Sequence, residues 1–299
     1  VAAQLSADHR GHLAARLGIG LLRVVRWLPF GAVGWLGAGL GWLAWLLPSD
    51  RRRVGRINLA LCFPELDAAA RERLLRRHFA ALGQMVLEYG YGWFAPRQTI
   101  ERLVRIEGRE RLHAQGRQPL ILAMPHMAGL DLAGLRLSLE TPLVSVYSRQ
   151  KSPWFDAFMR ERRLRFGTGI IHSRQAGIRA ALQGLRQGLN LFYLHDQDHG
   201  SSGAVFVPFF GTPAATITGT SRIAALTGAA VLPCWLRRDR DGYTVVIEPP
   251  LSDFPSADPA LDTARLNQII EQQVRRQPQQ YFWLHRRFKT RPPGGQPVY

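Results

Sequence analysis

Residues 119–134 read PLILAMPHMAGLDLAG. The first six are apolar without interruption, the pattern of a strand buried on both faces of a sheet. Pro125 disfavours helix at Met124. The chain therefore leaves the strand at the proline, and a helix starts only near Ala128. His126 then stands in the loop and Asp131 in the first turns of the helix. In an open α/β sheet, ligands bind at the carboxyl ends of the strands, and His126 is at such a point.

The same grammar repeats downstream. Short β-type runs occupy 142–147, 169–171, 190–194, 204–207, 229–237 and 243–248, with helical patterns over 130–139, 153–166, 174–187 and 215–227. This alternation predicts an α/β fold whose mixed, largely parallel sheet is flanked by helices. Two further helices carry clear start signals. One follows Asp67, with Leu74, Leu75, Phe79, Leu82, Met85 and Val86 at helical spacing. The other runs from Pro259, capped by Asp258, to Pro278.

Upstream lies WLPFGAVGWLGAGLGWLAWLL (27–47), 21 residues without a charge. That length matches a hydrocarbon core of ~30 Å, and tryptophans suit its borders. The run predicts an N-terminal membrane helix, the alternative being a glycine-rich helix lying in the interface. RRRVGR (51–56) follows, and basic flanks mark the cytoplasmic side, although Arg10, Arg16, Arg23 and Arg26 stand on the other flank. The run exceeds a signal-peptide h-region. The expected organisation is a membrane-anchoring segment over 1–56 and a catalytic domain over 57–299.

The formal charge of the 299-residue chain is +17, nearly all of it arginine; lysine occurs only at 151 and 289. Such a surplus favours an anionic partner, and arginine suits bidentate contact with phosphate. QYFWLHRRFKTR (280–291) interleaves rings with cations, which fits nucleic acid or a membrane interface. The apolar segment decides for anionic lipid and against nucleic acid. Cys62 and Cys234 lack metal-ligand spacing and read as buried, reduced thiols. No cluster reads as a metal site.

Residues five apart on a helix differ by roughly 140°, so His126 and Asp131 would not share a face of one regular helix. They can meet if the imidazole folds back from the loop. A carboxylate on one imidazole nitrogen fixes the tautomer that lets the other accept a proton. The helix start also offers the N–H groups of Ala128 and Gly129 to an oxyanion. The plainer alternative is a histidine capping a helix and an aspartate on its exposed side. Asp196 and Asp198 follow an apolar strand in LHDQDHG (194–200), where they would either serve the site or make a turn; at strand spacing only one faces any given side. Arg149, Arg163 and Arg165 belong to an arginine-rich block over 148–167 that is either a solvated helix face or an anion site. Arg222 can reach a phosphate from the helix after Thr218.

The apolar N-terminal segment, NLALCFPEL (58–66), HMAGLD (126–131), HDQDHGSSGAVFVPFFG (195–211) and QYFWLHRRFKTRP (280–292) together resemble the bacterial lipid A acyltransferases. These are the late lauroyl- and myristoyltransferases of the HxxxxD/E lysophospholipid acyltransferase superfamily. The resemblance spans nearly the whole chain. It implies a glycerolipid-acyltransferase-like fold, acyl-acyl carrier protein as donor, and a phosphorylated (Kdo)2-lipid IVA-type acceptor. It implies no cofactor or metal, and a catalytic domain on the cytoplasmic face of the inner membrane. By the same resemblance His126 is the general base, Asp131 its partner, Arg149, Arg163 and Arg165 contact the acceptor, and Asp196 of the DQD box lies in the cleft. Many relatives carry Glu where this chain has Asp131. That departure keeps a lysophospholipid, glycolipid or ornithine-lipid acceptor open. An alternative of another class is a non-catalytic, membrane-tethered protein that binds anionic lipid.

Overall fold

The computed structural model describes residues 15–299 except 115, 117, 175 and 176. Arg10 and the rest of the first 14 residues lie outside the described residues. The chain enters through α1, described over 15–25. It continues through α2 (Phe30–Leu46), α3 (Asp50–Cys62), α4 (Ala68–Phe94) and α5 (Arg97–Leu103). Then come β1 (Val104–Glu107), β2 (Leu120–Ala123), α6 (Leu130–Ser138), β3 (Leu143–Tyr147), α7 (Pro153–Arg163), β4 (Ile170–Ser173), α8 (Gly177–Arg186) and β5 (Asn190–Tyr193). The hairpin β6 (Ala204–Phe209) and β7 (Thr212–Ile217) precedes α9 (Gly219–Thr227), β8 (Ala230–Arg238), β9 (Tyr243–Ile247) and α10 (Pro259–Arg276).

Seven strands form one sheet in the order β1-β9-β8-β2-β5-β3-β4. β8, β2, β5, β3 and β4 are mutually parallel. β9 runs antiparallel to β8 and carries β1 parallel to itself. The expected mixed, largely parallel sheet flanked by helices is therefore present. β2 is central, which explains its unbroken apolar sequence. Leu120 and Leu122 pack in the layer with α4 and α6, and Ile121 and Ala123 pack with α8 and α9 on the opposite face. That alternation is the two-residue period of a strand covered on both sides.

Two strands escaped the sequence reading. β1 is short and lies at the edge. β7 is TPAATI, too poor in bulky apolar residues to declare itself, and its last residues were expected to be helical. The helix after it begins at Gly219 instead. In α4, Asp67 accepts from Ala70 N at 2.6 Å, the N-cap its position suggested. Val86, expected in the buried stripe, is exposed, while neighbouring Leu87 is buried. Cys62 and Cys234 are free and buried, and burial raises both thiols well above their ordinary pKa.

The N-terminal segment departs most from expectation. The apolar run is not one 21-residue helix. A turn before Pro29 separates α1 from α2. Pro48 ends α2, and Ser49 starts α3 by accepting from Arg52 N at 3.2 Å. α2 has 17 residues, and α2 and α3 meet at a bend of 95°. Among the described residues no single helix is long and apolar enough to cross a membrane; only the bent pair reaches that length and composition. The glycines of α2 serve packing. A Cβ on Gly37 would lie 2.5 Å from the Gln84 backbone, and one on Gly83 of α4 would lie 2.1 Å from the Gly37 carbonyl oxygen. The helices thus touch backbone to backbone, which only small residues allow. The other side of α2 is bare: Trp35 is 82% exposed, and Leu36, Leu40, Trp42 and Leu43 are also exposed. Leu17, Leu21 and Val24 of α1 and Trp27 in the turn add to this apolar surface.

His78 and His195 are buried at 0% and 2% exposure. Burial lowers each ring to about 4. An unfolded histidine titrates near 6.5. Between these values the unfolded chain binds more protons, so stability is full above pH ~6.5 and falls as pH drops toward about 4. The expected loss is ~1.4 kcal/mol per pH unit for each group over that window. Urea denaturation followed by circular dichroism at pH 7.5, 6 and 5 checks it. An unchanged midpoint across that range would count against burial of neutral imidazoles.

Candidate active site

β2 and β5 pair in parallel with Ala123 opposite Tyr193, and Met124 N donates to Tyr193 O at 3.0 Å. Three residues beyond that pair stand His126 after β2 and Asp196 after β5. The register alone sets them side by side. His126 N donates to Asp196 Oδ2 at 2.9 Å, and His126 Nδ1 lies 2.6 Å from Asp196 Oδ1. The 280–282 segment locks the loop from the other side: Ala128 N donates to Gln280 O at 2.8 Å and Phe282 N to His126 O at 3.0 Å.

Asp196 is 1% exposed. Burial works against its charge, but the His126 ring and backbone N–H outweigh that cost and hold the carboxyl well below the usual carboxylate range. An ionised carboxylate only accepts. Nδ1 must then carry a proton, and in the neutral ring Nε2 keeps its lone pair. The His126 side chain is 23% exposed and lies on the wall of a cavity of about 390 Å³. A neutral imidazole with a fixed tautomer and an open Nε2 is equipped to take a proton from a hydroxyl.

Asp131 does not fill the place expected of it. It sits in the first turn of α6 and accepts from Arg163, with Nε to Oδ1 at 3.0 Å and Nη2 to Oδ2 at 3.2 Å. Arg163 ends α7, so this bidentate pair ties α7 to α6 across the cavity that both residues line. The imidazole already has a carboxylate through the strand register, and Asp131 has a guanidinium to neutralise. The expected His126–Asp131 bond is corrected to His126–Asp196.

Other expected residues divide. Ala128 cannot offer its N–H to an oxyanion, because Gln280 O has taken it. Gly129 turns the chain into α6 at φ 83°, and its N–H is not taken by a backbone carbonyl among the described residues. Arg165 donates to Gly92 O at 2.8 Å and to Ala95 O. It therefore finishes the carboxyl end of α4 rather than facing the cavity. Asp198 accepts from Thr290 N at 2.6 Å and Gly200 N at 2.9 Å, which fastens the C-terminal segment. Arg149 is exposed on the loop between β3 and α7, and Arg222 is exposed on α9; neither lines the cavity.

The cavity opens at the carboxyl ends of β2, β3, β4 and β5. Polar groups gather there: His126, Gln150, Arg174, Gln197 and His199. Further in, Leu135, Leu143, Ile171 and Phe192 form an apolar wall under α6, with Gly134, Ser138 and Gly167 along it. Sequence reading missed Arg174 and Gly134. For Arg174 the available signal was its position just past the strand at 169–171. For Gly134 there was none, since a glycine inside a helix pattern does not say what it faces.

A carboxylate-anchored imidazole at the polar mouth of an apolar cavity is an arrangement suited to an enzyme that handles an amphiphile. Comparison with known proteins gives the class its name. Residues 3–290 match the family described as bacterial lipid A biosynthesis acyltransferase, and the chain belongs to that family. It is 34% identical over 284 residues to the lipid A biosynthesis lauroyltransferase of Escherichia coli K12, covering 93% of this chain and 92% of the relative. To the palmitoleoyltransferase of the same organism it is 32% identical over 288 residues, covering 94% and 93%. To the myristoyltransferase it is 34% identical over 262 residues, covering 86% and 81%. The protein is an acyltransferase.

Proposed function

We propose that the chain moves a fatty acyl group from acyl-acyl carrier protein to a hydroxyl of a phosphorylated (Kdo)2-lipid IVA-type lipid A precursor. The observation that carries the mechanism is the open Nε2 of an imidazole whose Nδ1 is held by ionised Asp196. The acceptor O–H gives its proton to Nε2 while its oxygen attacks the thioester carbonyl carbon. The tetrahedral oxyanion draws on the Gly129 N–H. The C–S bond then breaks, and the leaving thiolate takes the proton back from His126. No metal or cofactor enters this sequence.

The apolar cavity suits the acyl chain. From Asp131 to Ser138 α6 advances roughly 10 Å, from the polar mouth to the inner wall, passing Gly134. A Cβ on Gly134 meets only Phe192, at 3.8 Å, so the helix tolerates a larger residue there. Gly134→Leu is expected to leave the fold intact and shift preference to shorter chains. Each methylene deprived of its apolar wall costs ~0.8 kcal/mol, roughly fourfold in kcat/KM. Competition between donors of graded length, read by mass spectrometry, checks this. An unaltered chain profile would remove the cavity from the donor side.

The bare apolar face of α1 and α2, with the arginines of α3 following it, supports seating in the cytoplasmic face of the inner membrane, in contact with anionic lipid. The deciding experiment is transfer by purified protein from acyl-acyl carrier protein to (Kdo)2-lipid IVA, with lysophosphatidate as competing acceptor. Acylation of lysophosphatidate alone would overturn the proposed acceptor.

A further inference from the structure

Arg174 follows directly on β4, and its Nη1 lies 2.7 Å from His199 Nδ1. A guanidinium cannot accept a hydrogen bond, so His199 accepts at Nδ1 and carries its proton on Nε2. Desolvation of the ring, and then Arg174 beside it, lower the His199 pKa from its ordinary value, which keeps it in that neutral form. The pair thus offers guanidinium N–H groups and one imidazole N–H, a rim of donors at the polar mouth of the cavity.

Among the described residues, the guanidinium of Arg174 has no carboxylate paired to it. Arg163, the other arginine on the cavity wall, is neutralised by Asp131. Among the described residues no carboxylate stands within ion-pair distance of Arg174. Asp198, adjacent to His199 in sequence, is committed to Thr290 and Gly200. A guanidinium without an ion pair, flanked by an imidazole N–H beside an apolar cavity, complements an amphiphile whose head group is an anion with several acceptor oxygens.

We propose that Arg174 and His199 form a phosphate-binding site at the mouth of the cavity, engaging a phosphate ester of one of the two substrates. The site deepens the acyl-transfer reading and rests on it for the identity of the ester. Two sources share this chemistry: a phosphate on the acceptor, and the phosphopantetheine linkage of the donor.

The test begins with binding, apart from turnover. The full chain in nonionic detergent is titrated calorimetrically with dodecyl phosphate and with dodecyl glucoside. Arg174→Gln is expected to weaken dodecyl phosphate about tenfold and leave dodecyl glucoside unchanged, with Arg174→Lys recovering part of the loss. An unchanged ratio of the two affinities in Arg174→Gln would overturn the site. In the transfer assay, a raised KM for the acceptor alone assigns the phosphate to the acceptor. A raised KM for the donor alone assigns it to phosphopantetheine. A chain that binds dodecyl phosphate through Arg174 yet transfers no acyl group would keep the site and refute the reading it rests on.

Discussion

Asp196→Asn lowers kcat by ~10²–10⁴, the range over which positioned general acid–base groups act, and leaves the KM for acceptor nearly unchanged. The reason lies in what Asp196 accepts. Its two oxygens receive two N–H groups, from the backbone and the ring of His126. Asparagine has one oxygen and one NH2. If the oxygen stays on the ring, the NH2 faces the His126 backbone N–H in a buried site, donor against donor. If it turns to the backbone, the NH2 faces Nδ1, which must give up its proton; Nε2 then carries that proton and can no longer act as a base. His126→Gln sets the floor for comparison. Asp131→Asn is expected to do less, since it loosens Arg163 without disturbing the imidazole. Steady-state kinetics of the three variants, each checked for folding by circular dichroism, decide the matter. A near-normal Asp196→Asn beside an inactive Asp131→Asn would return the partnership to Asp131.

Gly83→Ala unfolds the N-terminal seam at a cost of about 3 kcal/mol or more, at or beyond the upper end for overpacking. The added Cβ would lie 2.1 Å from Gly37 O and 2.4 Å from Gly41 N. Both contacts are backbone, so no side chain can swing aside, and α2 and α4 must separate. Gly39→Ala is the control. It stands on the open side of α2 with nothing within 4 Å of a Cβ. There the same substitution is expected to stabilise by ~0.5–1 kcal/mol through helix propensity. Thermal melts in detergent distinguish the two. Equal shifts would mean that α2 does not sit against α4 as described.

Much of this architecture could be read from the chain because its signals are local. Apolar runs of four to six residues marked the central strands, and Asp67, Asp258 and Pro259 marked helix starts. His126 could be placed because Pro125 ends a strand, and strand ends gather ligands. The partner of His126 could not, because it depends on which strand lies beside β2. Seventy residues separate His126 from Asp196, whereas Asp131 is five residues away and carries the familiar spacing. Nearness in sequence won over nearness across the sheet. The N-terminal segment misled for a related reason. Its uniform apolarity suggested one helix running through Pro29, which instead stands just before α2, and hid the fact that its glycines face another helix. Arg165 read as one cation in a cluster, since nothing local reveals that it reaches the end of α4.

The pairing of β2 with β5 makes the chemistry hostage to assembly. Base and carboxylate arrive on separate segments, and the clamp over 280–282 comes from a third, so a nascent or partly unravelled chain carries every reactive side chain and no working centre. On the proposed mechanism, turnover begins only after the last of these pieces docks.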